Sequence, residues 1–243
     1  MVTDLRPLLN EFAGMPLDPG QAACLFLERS GVLLRTLQAT VAIDIANYVT
    51  PEAMETLDLH ALLYTHIHSD HYHRESAAGL FTATGSPIVA QPDVAKQLEA
   101  DVPADKLYVG VLDSIHTFCA IKIATVGVWT SVPPQSLYRI EIGELTAFHG
   151  GDVGYLALKL APPDIAFLAT EGIAPTREEA PLYANRMVRE LKPRVVFGIH
   201  GTAAHNRTFR NLVREHVPQT RVMTPDPYSL HKLGLEAEDR GIR

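Results

Sequence analysis

The stretch Thr65-His66-Ile67-His68-Ser69-Asp70-His71-Tyr72-His73 puts four histidines and an aspartate into nine residues. Neutral imidazole and carboxylate are ligands for zinc and related divalent ions, at roughly 2.0–2.2 Å. In an extended segment His66 and His68 project the same way, and Asp70 and His71, further into a turn, can address a second point nearby. Without a cation, partly buried imidazoles beside a carboxylate need several hydrogen-bond partners or must charge. The pattern His-x-His-x-Asp-His therefore predicts a metal site, against the plainer reading of a solvated histidine-rich loop.

A local run seldom encloses a cation by itself, so other strands must contribute. Phe148-His149-Gly150-Gly151-Asp152-Val153-Gly154 sets Asp152 after a Gly-Gly turn, where glycine allows a close backbone approach. Val195-Val196-Phe197-Gly198-Ile199-His200 ends a buried apolar run on His200. Each taken alone has a structural explanation: Asp152 as a turn cap, His200 as a satisfied core histidine.

The elements that would carry these residues can be read from periodicity and turn residues. Cys24 to Ile45 reads as antiparallel strands, and Ala61-Leu62-Leu63-Tyr64-Thr65 as a strand buried on both faces that delivers the histidines. A helix from Arg74 to about Thr84, a strand at Pro87–Ala90 and a helix from about Pro92 to Ala100 follow. Strands at 120–128, 136–142 and 144–149 come next, the last two joined by a tight turn at Gly143. A strand at 165–170, a helix at about Arg177–Leu191, the strand ending at His200 and a helix near Arg207–His216 complete the pattern. Two similar halves of this order predict an α/β (α+β) fold, a four-layer αββα sandwich forming one domain over residues 1–243. The charged tail after Leu235 is expected to fray.

Composition excludes several roles. The chain of 243 residues is 47% hydrophobic and 20% charged, as globular proteins are. Its formal net charge of −7 opposes nucleic-acid binding. No apolar run approaches the ~20 residues that span a bilayer, and the N-terminus lacks the pattern of a secretory signal, so no membrane partner and a cytoplasmic location are expected. Cys24 and Cys119, both in apolar surroundings, are expected to be buried thiols.

The segment Thr65–His71, the later Gly150-Gly151-Asp152 and the strand-terminal His200 resemble the metallo-β-lactamase fold hydrolases, from about Gln21 to Thr224. Within them, the segments at 145–154 and 191–202 are most similar to the ascorbate-6-phosphate lactonase-like branch. The resemblance implies that His66 and His68 hold one metal, that Asp70, His71 and His200 hold the other, and that Asp152 bridges them. It also implies a further histidine at the first site, where this chain has Thr130 in Trp129-Thr130-Ser131, and a threonine after the bridging aspartate, where this chain has Val153. One tightly held zinc and a second that is weaker or absent are therefore expected, with manganese or iron as alternatives, because two carboxylates sit in the complete site.

Metal-activated water attacking a small ester, lactone or phosphoester is the chemistry this predicts. Asp70, Asp152 and His149 are the candidate catalytic residues, with His149 or His205 nominated to protonate the leaving group, and His205 and Arg207 placed to meet the substrate. A small molecule is the expected partner, and assembly into a homo-oligomer is left open. The competing expectation is a degraded family member that binds metal and no longer turns over, having lost the ligand at Thr130.

Overall fold

Six short runs in the first half of the chain build one sheet. In the computed structural model, which describes residues 4–235, they are β1 (Gln21–Phe26), β2 (Val32–Arg35), β3 (Thr40–Ile43), β4 (Ala61–Tyr64), β5 (Ile88–Ala90) and β6 (Leu107–Val109). Helices α1 (Arg6–Gly14), α2 (Pro51–Met54), α3 (Arg74–Thr84) and α4 (Pro92–Leu98) cover its outer face. The second half builds the other sheet from β7 (Ile115–Phe118), β8 (Ile121–Trp129), β9 (Gln135–Ile142), β10 (Leu145–His149), β11 (Ile165–Ala169), β12 (Val195–Ile199) and β13 (Arg221–Met223). Outside it lie α5 (Ala180–Leu191) and α6 (Ala203–His216). Strand β14 (Ser229–Gly234) then returns to the first sheet, antiparallel to β1.

Alternation along each strand sorts side chains between layers. In β4, Ala61 and Leu63 face the opposing sheet, whereas Leu62 and Tyr64 face the helices. In β12, Val195, Phe197 and Ile199 fill the space between sheets, and Val196 packs outward with Phe209 and Val213 of α6. Phe167 and Phe197 meet there with ring centroids 5.2 Å apart. Truncating Phe197 to alanine would cost about 3–5 kcal/mol, because a close-packed layer relaxes only partly around a lost ring. The result is the expected αββα sandwich.

Strands β3 to β6 run parallel, as do β10 to β13. Loops leaving the carboxyl ends of parallel strands gather at one edge, which is where open sheets of this kind place ligand sites. The segments after β3, β4, β10 and β12 all emerge there. Because β8 is antiparallel to β9 and β9 to β10, the end of β8, and with it Thr130, lies at the same edge.

Helix α3 has the expected span and ends on Gly85, whose φ of 65° lets its N–H reach the Phe81 carbonyl at 2.7 Å. Gly143 likewise turns the chain between β9 and β10 with φ 59°. Helix α6 starts at Ala203, earlier than expected, because the Thr202 hydroxyl accepts from the His205 N–H and caps it there. Helix α5 starts at Ala180, later than expected. The thiol expectation holds for Cys24, buried in β1, and fails for Cys119. Cys119 sits in the turn between β7 and β8 with φ 48° and is exposed, because its apolar neighbours Phe118 and Ile121 belong to the strands and not to the turn. The tail after Leu235 lies outside the described residues. Among those described, no helix is long and apolar enough to cross a membrane.

Candidate metal centre

Three loops bring the predicted ligands together. His66, His68, Asp70 and His71 follow β4, Asp152 follows β10, and His200 follows β12. His66 Nε2 stands 3.1 Å from His68 Nδ1 and 3.5 Å from Asp152 Oδ2. His200 Nε2 is 3.1 Å from Asp70 Oδ2. The donors fall into two groups, His66/His68/Asp152 and Asp70/His71/His200, and within each the ligand atoms all lie within 4.8 Å of one another. Asp152 joins the groups: its Oδ1 is 3.1 Å from His71 Nε2, and its Oδ2 is 3.5 Å from His200 Nε2.

Asp44, which sequence reasoning missed, fixes the orientation of two of these histidines. At the end of β3, with φ 49° and no exposure, its carboxylate accepts from the Thr65 N–H at 2.7 Å, the Thr65 hydroxyl at 2.6 Å and His71 Nδ1 at 2.8 Å. The Thr65 hydroxyl, having donated to Asp44, accepts from His66 Nδ1 at 3.0 Å. Both imidazoles are thereby assigned a proton on Nδ1, which turns Nε2 toward the shared space as the ligand atom. Carboxylate support of this kind sets the tautomer and raises the basicity of metal-binding histidines. The available signal was an aspartate closing the apolar run Val41-Ala42-Ile43.

Asp152 is held from behind. Its N–H donates to Gln135 Oε1 at 2.9 Å, and Gly151 turns with φ 54° where a Cβ would come within 2.7 Å of that same oxygen. A side chain at Gly151 would be strained at that φ and would push aside the Gln135 amide that holds Asp152. At the front, His71 Nε2 and Asp152 Oδ1 are buried without a hydrogen-bond partner despite their 3.1 Å separation. Close approach without alignment is what two ligands aimed at a common third point show. Buried polar atoms are otherwise nearly always paired, so these residues fit a bound cation.

Electrostatics point the same way. Burial disfavours charge on His71, yet Asp44 and Asp152 on either side outweigh it and push the imidazole up to about 10. A proton there stands in for positive charge that the carboxylates demand. Burial pulls Asp152 upward, but His71, His66 and His200 prevail and hold it well below the usual carboxylate range. The bond from His200 lowers Asp70 to about 2. His66, chiefly through burial, is shifted down and favours its neutral, ligating form.

Residues 24–200 match the family model described as the Beta-lactamase superfamily domain, nearly three quarters of the chain. The chain belongs to the β-lactamase superfamily. Solved structures agree on the fold of this superfamily member. Igni18 of Ignicoccus hospitalis, described as a novel metallo hydrolase, is 18% identical with a TM-score of 0.67, covering 89% of this chain and 100% of its own. YhfI of Bacillus subtilis, described as a metallo-β-lactamase fold protein, is 15% identical with a TM-score of 0.65, covering 88% and 99%. CmlA of Streptomyces venezuelae, described as a diiron β-hydroxylase, is 12% identical with a TM-score of 0.63, covering 90% of this chain and 55% of its own. No curated relative matches the sequence significantly.

The other expected site residues of this superfamily member divide. His149 is fully buried: Nε2 donates to the Ser30 carbonyl at 3.1 Å, and Nδ1 accepts from the Gly151 N–H at 3.2 Å and lies 3.9 Å from Asp44 Oδ2. With both nitrogens engaged by backbone and burial lowering its pKa, it shapes the Gly150–Gly151 turn and has no nitrogen free for the proton transfer expected of it. His205 opens α6, its Nδ1 2.9 Å from the Thr202 hydroxyl and 3.2 Å from Glu171 Oε2. Glu171 was not foreseen; its N–H donates to the His200 carbonyl at 3.0 Å, so it sits against the ligand loop. Arg207 is exposed and lines a cleft that also contains His200. Arg74, at the start of α3, pairs with Asp101 at 2.9 Å. Thr130 is exposed one residue beyond β8, and Val153 is packed into the layer under α5 and α6.

Proposed function

We infer that this chain is a metal-dependent hydrolase that uses activated water on a small ester, lactone or phosphoester. The observation that supports it best is the Asp44 relay, which turns His66 Nε2 and His71 Nε2 toward Asp152 while leaving buried ligand atoms unpaired. Asp70, His71, Asp152 and His200 would hold the tighter ion; His66 and His68, sharing Asp152, the weaker. Zinc suits the imidazoles, and manganese or iron suits the two carboxylates. A bound divalent ion would lower the pKa of a coordinated water toward ~7 and polarise the oxygen under attack.

The chain's own residues supply the rest. Asp152, pinned by Gln135, orients the attacking water as a hydrogen-bond acceptor. Asp44 keeps the Nδ1 protons of His66 and His71 in place, so their Nε2 atoms stay deprotonated toward the ions. His205, with Nδ1 held by Thr202 and Glu171, leaves Nε2 to give a proton to the departing oxygen. Narrower features stay within this proposal: the lactonase-like branch, a cytoplasmic setting, a single domain, a small-molecule substrate without nucleic-acid or membrane partners, and homo-oligomer assembly.

A second reading, a metal-binding protein without turnover, is favoured by one observation: beside the donor group His66/His68/Asp152, this chain has Thr130 where the resemblance places a further histidine. Elemental analysis joined to an ester, lactone and phosphodiester screen separates the readings. Bound metal with measurable hydrolysis supports the hydrolase, and bound metal with none supports the second reading.

A further inference from the structure

A cleft of about 620 Å³ opens on one side of His200, between the start of α6, the Glu28–Arg29 turn and the segment 224–227. That volume lies within the usual range of small-molecule sites, about 300–1,000 Å³. Three guanidinium groups line it: Arg29, Arg207 and Arg210. Arg207 and Arg210, three residues apart on α6, share one face of the helix. Arg210 reaches only the Thr224 hydroxyl, at 3.5 Å, and neither Arg29 nor Arg207 has a side-chain hydrogen bond or ion pair among the described residues.

The cleft does contain two acids. Glu28 accepts from the Tyr228 hydroxyl at 3.1 Å, and Asp226 also lines the cleft. Neither forms an ion pair with the arginines, which leaves the guanidinium forks open to a ligand. Arg29 is tied to the metal centre through its backbone, whose carbonyl accepts from the His200 N–H at 2.9 Å. The first turn of α6 adds its partial positive charge on the same side, with Ala203 in the lining.

We propose that this cleft seats an oxyanionic tail of the substrate, a carboxylate or a phosphate, gripped by Arg29, Arg207 and Arg210 while the scissile bond lies at the ligands beyond His200. Guanidinium forks match the paired oxygens of both groups. The proposal rests on the hydrolase reading for the word substrate, but the anion site stands or falls by itself.

The test is calorimetric titration of the purified protein, metal content measured in parallel, with inorganic phosphate and separately with acetate. One of the two should bind, and its identity names the tail. The double variant Arg29→Gln/Arg207→Gln should weaken that binding about tenfold or more with metal content unchanged. Arg74→Gln, whose partner is Asp101, should bind as the parent does. In the unaltered protein the same anion should also shield Arg29 and Arg207 from phenylglyoxal, read by mass spectrometry, so the result does not depend on the variant's folding. Binding of neither anion, equal binding by the double variant, or modification that the anion leaves unchanged would overturn the proposal. Arginine-dependent binding without any hydrolysis would sink the hydrolase reading and leave the anion site standing.

Discussion

Replacing Asp44 by asparagine removes one charge and turns one acceptor into a donor, at a position 22 residues upstream of the nearest ligand. The amide oxygen can keep the Thr65 N–H bond, but the amide nitrogen then faces both the Thr65 hydroxyl and His71 Nδ1, each of which donates to Asp44 in the parent. Either His71 Nδ1–H is left unpaired, or its proton moves to Nε2, the atom directed at Asp152. Both outcomes spoil the same ligand. Losing a charge-assisted bond in a site with no exposure costs about 1.5–3 kcal/mol, and lost carboxylate support typically costs 10–100-fold in metal affinity. The two figures agree, since each tenfold corresponds to about 1.4 kcal/mol. Competition against a chromophoric chelator should therefore show Asp44→Asn binding its tighter ion about 10–100-fold more weakly, with circular dichroism confirming an unchanged fold. Affinity within twofold of the parent in a folded variant would refute the claim that Asp44 sets the His71 tautomer.

Four further outcomes follow from the same geometry. Chelator-treated protein should melt at progressively lower temperature as pH rises from about 6.5 to about 10. His71 binds its proton more tightly folded than unfolded, so its contribution is full below the ordinary histidine value and gone above about 10. The depressed Asp152 and Asp44 act at the other end, contributing above about pH 4 and losing that contribution as pH falls; a flat melting profile across the alkaline window counts against the His71 assignment. Adding metal at pH 7 should release close to one proton, seen as buffer-dependent calorimetric heats, because the proton on His71 must leave. His205→Gln should lower kcat by about 100-fold for alkyl esters and barely at all for nitrophenyl esters, whose leaving group needs no proton; equal losses on both would remove His205 from that role. Thr130→His should raise metal content from one ion toward two per chain, and unchanged stoichiometry would show that Thr130 does not border the first donor group.

The ligand motif was legible because its residues are adjacent in sequence and follow a strand whose four residues are all buried. The same holds for His200, since β12 is apolar throughout and its end could be placed. Asp44 was hidden because its partners, Thr65 and His71, lie across the parallel pairing of β3 with β4, which no local pattern announces. His149 misled for the opposite reason. Nearness to Asp152 in sequence suggested a shared site, but the turn at Gly150–Gly151 sends its ring back to Ser30. Edge strands β6, β7 and β13 escaped because each has three or four residues with little full burial, so alternation carries almost no signal. Strand β14 was missed although it pairs with β1 along six positions, its sequence being broken by His231 and Lys232.

Anomalous diffraction at the metal absorption edge, on crystals of protein purified without chelators, would show whether these side chains enclose an ion. A strong peak bounded by Asp70, His71, Asp152 and His200 is expected, with a weaker peak or none beside His66 and His68. A map with no peak between these side chains, or with the metal bound elsewhere on the chain, would contradict that expectation.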